Sequence, residues 1–313
     1  MDNVCHTLVG AALGEADLKR RTRYGQATLM IASNLPDLDV LVFLTDTSSL
    51  SFRRGWTHGV AAQLTLPIAL TAVMWLVGRW RSRGDSGDGP PVHAGWLLAL
   101  SYLGVYLHVF LDFLNNYGIR LLAPLEWRWF YGDAVFIVDP WLWLALGAGI
   151  WVARRNAGPV VARAALVFAL CYIGAMLLSA RAARTVVADV WREARGTEPR
   201  SLMVGPMPVT PFTRAVIVDA GTRYETGTFT WWPTGVEFHT DAIPKNDLDP
   251  AVAQARAQSR EIQEFLVWSR FPFWRIEPDG GGTRVTVADV RFMGAGRQFS
   301  ASTTIRADGS ASD

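Results

Sequence analysis

Gly59 to Gly78 reads GVAAQLTLPIALTAVMWLVG, a stretch without a single charge. A helix that crosses the hydrocarbon core of a bilayer needs about 20 consecutive, mostly apolar residues. Three more stretches have the same character. Ala94 to Leu111 carries only His108, Ala134 to Ala153 is interrupted by Asp139-Pro140, and Pro159 to Ala180 has Arg163 near its start. The soluble alternative is a set of buried core helices, and runs this long and clean argue against it. Half of the residues are hydrophobic, and many of the 14 tryptophans stand at the ends of the apolar runs, as membrane-interface residues do.

An earlier segment, Tyr24 to Leu44, is apolar at both ends and broken by SNLPDLD. Asp37 and Asp39 are costly in lipid, and Pro36 disfavours helix at Leu35. The segment therefore reads as a helix, a bend and a second short apolar stretch packed against the bundle rather than spanning it. The opening MDNVCHTLVG lacks the basic start and long apolar centre of a cleavable signal peptide, so insertion is expected to come from internal segments. Cys5 and Cys171 lie in unlike surroundings and are not expected to pair.

Alternating spans put the N-terminal region, the loop 115–133 and everything after Ala180 on one side. That side holds Lys19, Arg20, Arg21, Arg23, Arg53, Arg54, Arg120, Arg128, Arg181 and Arg184, against Arg79, Arg81, Arg83, Arg154 and Arg155 on the other. The excess of positive charge places the first side in the cytoplasm of a multi-pass inner (plasma) membrane protein. A net charge of +2 is too small to suggest nucleic acid as a partner.

After Ala180 the character changes. RAARTVVADVWREAR has the charge pattern of a helix leaving the membrane, and strand-like alternation begins near Thr213: RAVIVD, RYETGTFTW, GVEFHT, TRVTVADVRF and FSASTTIR. DPAVAQARAQSREIQEFLVWSR interrupts these strands as one helix, with Asp249 as the N-cap before Pro250. The expected architecture is an α-helical integral membrane bundle of about four spanning helices plus an N-terminal broken helical segment, followed by a small α+β C-terminal domain. In residue numbers this is a membrane-embedded domain over 1–185, a linker or exit helix over 186–212, and a cytoplasmic strand-rich domain over 213–313. The last has few clustered His, Cys or acidic residues. A protein partner is a candidate role for it.

Chemistry concentrates in the first half. His108 and Asp112 are four residues apart, so a helix points both the same way. Inside a membrane such a pair is expensive unless it holds a metal, a proton path or a partner charge, although a hydrogen bond between two helices is the plainer alternative. Other residues join the pair: His6 in CHTLVGAALGEA, Asp37 and Asp39 in NLPDLD, His58 in RRGWTHG, and Asp133 before the third run. The Asp37/Asp39 spacing can offer two carboxylates to one cation. Each residue alone has a structural explanation, such as polar packing or helix capping. Together, three histidines and several carboxylates at one membrane face supply the nitrogen and oxygen ligands of a divalent ion, with zinc, manganese or iron as candidates and zinc or manganese foremost. His93 and His239 fall outside the set.

In the order CHTLVGAALGEA, ASNLPDLDVL, RRGWTHG, LHVFLDFLNNYGIRLLAPL and GDAVFIVDPW, the first 150 residues or so resemble the bacterial membrane-bound, metal-dependent hydrolase family. Some of its members are labelled LexA-binding, inner-membrane-associated hydrolases. The resemblance implies a multi-helix inner-membrane protein with His6, Asp37, Asp39, His58, His108 and Asp112 as metal ligands and Asp133 less securely among them. The expected reaction is metal-assisted hydrolysis of an ester or phosphoester bond, possible in a lipid-like substrate, with Arg53, Arg54 or Arg120 neutralising an anionic group. Asp133 and Arg54 are the expected catalytic side chains, and membrane lipid is the expected surrounding partner. Two alternatives stay open: a transporter whose His and Asp line a proton or metal path, and a regulatory membrane protein with a structural metal.

Overall fold

Asp2 starts the first helix, α1 (Asn3–Glu15), by accepting hydrogen bonds from the N–H groups of Val4 and Cys5 through Oδ1. The computed structural model describes residues 1–44, 52–82, 90–155, 158–293, 299–306 and 311–312. Arg83 and most of the linker around it, counted above in the charge asymmetry, lie outside those residues. The chain divides into two compact units: Met1–Val40 with Arg54–Ala180 and Pro206–Pro211, and Leu41–Arg53 with Arg181–Gly205 and Phe212–Asp313.

In the first unit α1 is followed by α2 (Gly25–Ala32), the first part of a 3-10 stretch (Leu35–Leu44), α3 (Val60–Ser82), α4 (Ala94–Phe113), α5 (Pro140–Arg155) and the start of α6 (Pro159–Arg195). Three of these helices, α3, α4 and α6, are long and apolar enough to cross a membrane. The pair Gly25–Ala32 and Leu35–Leu44 adds a fourth candidate if the two pieces, bent by 51°, count as one broken span. The bend expected at SNLPDLD is present. Leu38, Leu41, Phe43 and Leu44 are exposed beyond it, as are Leu64, Ile68, Val73 and Leu76 along α3. Rows of exposed apolar side chains on long helices suit lipid rather than water.

One expected span is shorter than its sequence. The run over 134–153 becomes helical only at Pro140, because Asp139 caps the helix: its Oδ1 accepts from the N–H groups of Trp141 and Leu142 at 3.0 Å each. Proline suits the first helical position since it has no N–H to lose there. The resulting 16-residue helix reaches about 24 Å, short of the roughly 30 Å hydrocarbon core. Tyr172 on α6 donates to the other Asp139 oxygen at 2.9 Å, so the carboxylate both starts α5 and ties it to α6.

Glycine lets the helices around α2 approach closely. A Cβ on Gly10 of α1 would stand 2.8 Å from the Leu29 carbonyl oxygen, and one on Gly104 of α4 would stand 2.5 Å from the Ala32 Cβ. The buried face of α4 runs Ser101, Gly104, Val105, His108 and Asp112, a helical spacing that turns the imidazole and the carboxylate inward. Cys5 and Cys171 are unpaired, as expected.

In the second unit, β1 (Ser201–Pro206), β2 (Thr213–Asp219), β3 (Arg223–Trp231) and β4 (Thr234–Phe238) form one sheet in that order, with β5 (Ile243–Pro244) pairing β3. Its core joins Leu202, Val204, Val216, Val218 and Phe229 to Ala183, Val187 and Trp191 at the end of α6. Strand β1 lies inside the stretch read from sequence as a linker; its LMVG run lacks the alternation that marked the later strands. The single helix expected over 249–270 is two, α7 (Pro250–Gln258) and α8 (Arg260–Trp268). Ser259 breaks the run at an extended conformation and caps α8, accepting from the Ile262 N–H at 3.2 Å. The second sheet, β6 (Pro272–Asp279), β7 (Gly282–Asp289), β8 (Ser300–Arg306) and β9 (Ala311–Ser312), has antiparallel neighbours throughout.

Asp289 anchors this half. Its carboxylate accepts from Arg291 Nε at 2.8 Å, the Ser269 hydroxyl at 2.8 Å and the backbone N–H of Arg270 and Phe271 at 2.7 and 3.1 Å. Burial works against ionisation, but the Arg291 guanidinium and these donors hold the carboxyl below its ordinary range. A depressed folded value means the stabilisation is complete above the unfolded value of about 4 and fades as pH falls through the folded one. Asp289→Asn should cost about 3 kcal/mol, because Arg291 is left buried without its counter-charge. Hydrogen exchange at Phe271 and Val290 is the measurement, with faster exchange expected in the variant at pH 7 and in the wild type only in acid.

Candidate metal centre

Four elements deliver the polar side chains predicted from sequence. His6 comes from α1, Asp37 and Asp39 from the 3-10 stretch, His58 from the turn before α3, and His108 and Asp112 from the end of α4. All six are buried, and both rings of the His6–His108 pair stack at 3.9 Å. Four of them place one ligand atom each within 4.8 Å of all the others: Asp37, His58, His108 and Asp112.

The closest approaches fall on three residues. His58 Nε2 lies 3.1 Å from His108 Nε2, and Asp112 Oδ2 lies 3.3 and 3.6 Å from those two nitrogens. Asp37 Oδ1 stands 3.8 Å from both. Zinc with ligands at about 2.0–2.1 Å in a tetrahedron separates them by roughly 3.3 Å, so the spacing fits one small cation.

The hydrogen bonds around the rings decide what the nitrogens offer. His108 Nδ1 faces the Ser33 carbonyl oxygen at 2.8 Å, which can only accept, so Nδ1 carries the proton and Nε2 presents a lone pair. His58 Nδ1 sits 2.9 Å from the Thr57 hydroxyl and 3.5 Å from Asp39 Oδ2, and the carboxylate favours the same tautomer. Two lone pairs thus face each other beside two carboxylate oxygens. Asp112 Oδ2 also faces Arg54 Nε at 3.1 Å and His6 Nε2 lies 3.3 Å from Asp112 Oδ1, but the two facing imidazole lone pairs cannot satisfy each other. Such a knot of acceptors is satisfied by a cation. The donor set, imidazole and carboxylate, is one that could hold a metal ion.

The Asp37/Asp39 pair is divided. A 3-10 turn sends residues two apart to different faces, and the carboxylates take opposite ends of the His58 ring rather than one cation. Asp37 faces Nε2 and is held by Asn3, whose Nδ2 donates at 3.0 Å. Asp39 accepts from the Arg54 backbone N–H at 2.8 Å and the Thr57 hydroxyl at 3.3 Å.

Arg54 adopts a left-handed backbone (φ 54°) and spends its side chain on the centre's framework. Nη2 donates to Asp112 Oδ1 at 3.2 Å, Nη1 to Asn115 Oδ1 at 3.0 Å and to the Gly118 carbonyl at 3.3 Å, while Nε lies 3.1 Å from Asp112 Oδ2. The α-amine of Met1 also donates to Asp112 Oδ1. Asp133 is buried in a left-handed conformation (φ 48°) outside the four-residue group, between N–H bonds from Gly132 to Phe113 and from Ala134 to Leu114. His93 caps α4, and His239 meets Thr226. Sequence reasoning missed Ser33, whose contribution is a carbonyl, as well as Thr57 and Asn3. A backbone oxygen leaves no trace in residue type.

A profile of the YdjM inner membrane protein family matches residues 1–183, a span that includes every residue of this centre. The chain belongs to that family. The YdjM-type region thus covers the helical bundle, and the likeness extends further in one curated relative. The uncharacterized protein YfhP of Bacillus subtilis (strain 168) is 24% identical over 308 residues, 95% of this chain and 88% of that one. No solved structure matches.

Proposed function

We propose that this YdjM-family protein is a membrane-bound, metal-dependent hydrolase acting on an ester or phosphoester bond of a lipid-like substrate. The observation that carries the reading is the asymmetry of the four-residue group. His58, His108 and Asp112 are fully enclosed and closest together, whereas Asp37 stands farther off and is the one whose side chain retains some exposure. Three firm ligands with a fourth, looser position are the pattern of catalytic rather than structural sites. A divalent ion held by the three would lower the pKa of a water molecule and polarise a carbonyl or phosphoryl oxygen.

The chain's own residues supply the rest. Ser33 and Asp39 orient the two rings, Arg54 holds Asp112, and Asp37 is placed to accept a proton at the accessible side. Exposed apolar rows on the long helices favour a substrate with an apolar tail. The excess of positive charge in the loops around the centre favours the cytoplasmic face of the inner membrane for it, and the C-terminal domain is the part suited to meet a protein partner. Transport is the weaker reading, because the polar groups gather at one end of α4 instead of lining its length. A purely structural ion is favoured by one fact: all four residues are buried, Asp37 least completely.

Elemental analysis of the full chain purified in detergent is the test. The wild type should carry about one equivalent of zinc or manganese and His58→Ala should carry none, with esterase or phosphatase activity removed by chelation and restored by the ion. Background metal in the wild type would end the metal reading. Bound metal without chelator-sensitive hydrolysis across an ester and phosphoester panel would leave the structural ion.

A further inference from the structure

Beside the centre lies a second buried arginine whose donors are not spent. Arg120 is in the loop between α4 and α5, and its backbone N–H donates to the Arg54 carbonyl at 3.0 Å. It is 4% exposed, yet among the described residues its Nε and Nη2 have no hydrogen-bond partner. Burial lowers its pKa, with Tyr131 and Tyr117 acting the other way. Arg54 shows the contrast: every one of its nitrogens faces an oxygen.

A buried guanidinium without an acceptor is costly, so the fold must hold it for a reason. Two tryptophans do the holding. The Arg120 guanidinium lies 4.5 Å from the centre of Trp129 and 5.3 Å from that of Trp127. The two orphaned nitrogens are neighbours on one edge of the planar group, where their N–H bonds run parallel and match two oxygen atoms of one anion. Asn115 Nδ2 is another buried donor without a partner among the described residues, while its Oδ1 accepts from Arg54. Among the described residues no carboxylate pairs with Arg120, and its unsatisfied donors call for an acceptor that is negative.

The position relative to the centre follows from the rings. Arg54 lies over Tyr117 at 4.7 Å, Tyr117 meets Trp129 edge-on at 6.4 Å, and Trp129 carries Arg120. The guanidinium is therefore linked through these rings to Arg54, which holds Asp112, and is not one of the four clustered residues. Trp127 is half exposed and packs edge-on against the exposed Trp56, and Leu125 on the same loop is almost bare. Exposed aromatic and aliphatic side chains beside a buried guanidinium suit a ligand with a polar head and an apolar tail.

We infer that Arg120 is the anion-anchoring residue of this site and that its ligand is a phosphate-bearing amphiphile, whose phosphate oxygens take Nε and Nη2. This names the substrate class of the hydrolase reading and rests on that reading only for the word substrate; the binding stands without it. Arg120 touches the ligand's head but is not a metal ligand, so its removal leaves the metal in place.

Calorimetric titration of the full chain in neutral detergent tests this, with dihexanoyl phosphatidate, dihexanoyl glycerol and inorganic phosphate as probes. The wild type should bind the phosphatidate at least tenfold more tightly than either of the others. Arg120→Gln should lose that preference and keep the metal content and the affinity for dihexanoyl glycerol. Arg120→Lys, which preserves the cation and the stacking but not the parallel pair of donors, should fall between the two and serves if the glutamine variant does not fold. Equal phosphatidate affinity in the wild type and both variants overturns the anchor. Inorganic phosphate bound as tightly as the lipid overturns the amphiphile. Absence of metal from the wild type counts against the hydrolase alone, since the anchor is read from the phosphatidate arm.

Discussion

Asp112→Ala is expected to strip the protein of its metal and to lower its stability by about 3–5 kcal/mol at once. The metal loss follows from geometry, since Asp112 Oδ2 approaches both His58 and His108. The stability loss has a different origin. Asp112 has no exposure and is the counter-charge of Arg54, whose guanidinium is also buried; removing one partner of such a pair leaves an uncompensated charge. The two effects separate in a double variant. Arg54→Met with Asp112→Leu removes both charges and should recover most of the stability, while metal binding stays absent. Thermal unfolding in detergent alongside elemental analysis reads both quantities. An Asp112→Ala protein that keeps a full equivalent of metal would place the ion somewhere other than beside α4.

Gly104→Ala should weaken metal binding about 10- to 100-fold without touching a ligand. The added methyl would meet the Ala32 Cβ at 2.5 Å and the Ser33 nitrogen at 3.0 Å, so α4 has to move away from α2. His108 sits one turn further along and depends on the Ser33 carbonyl, now 2.8 Å away, for its tautomer and orientation. Overpacking of this kind costs about 1–3 kcal/mol on its own account. Ser101→Ala is the control on the same face, where the contact with the Thr71 hydroxyl is lost and no methyl is added against α2. Competition with a chromogenic chelator gives the affinities, and an unchanged affinity in Gly104→Ala would mean that the Ser33 contact does not support the ring.

Some features were legible because they repeat along the chain. The apolar runs announced α3, α4 and α6, and the four-residue step between His108 and Asp112 put both on one face of α4. Others misled for a local reason. The run over 134–153 is apolar enough for a span, yet one carboxylate before a proline starts its helix six residues late. The charged stretch 249–270 reads as one helix, and a single serine divides it. At the centre, residue types identified which side chains belong together but not how the work is shared. Asp37 and Asp39 look equivalent in NLPDLD, and only the 3-10 turn turns one toward His58 Nε2 and the other toward Nδ1.

What this sequence determined by itself is whatever depends on period and composition: the long apolar helices, their buried polar face, the strand-rich C-terminal half, and the histidines and carboxylates able to meet. Tertiary structure alone decided the assignments that depend on distance across the chain, such as the Ser33 carbonyl behind His108, the commitment of Arg54 to Asp112, and the unspent donors of Arg120. The physical reason is that hydrogen bonds and ion pairs lose their meaning within a few tenths of an ångström, and a one-dimensional pattern carries no such scale between residues 58 positions apart, as Arg54 and Asp112 are.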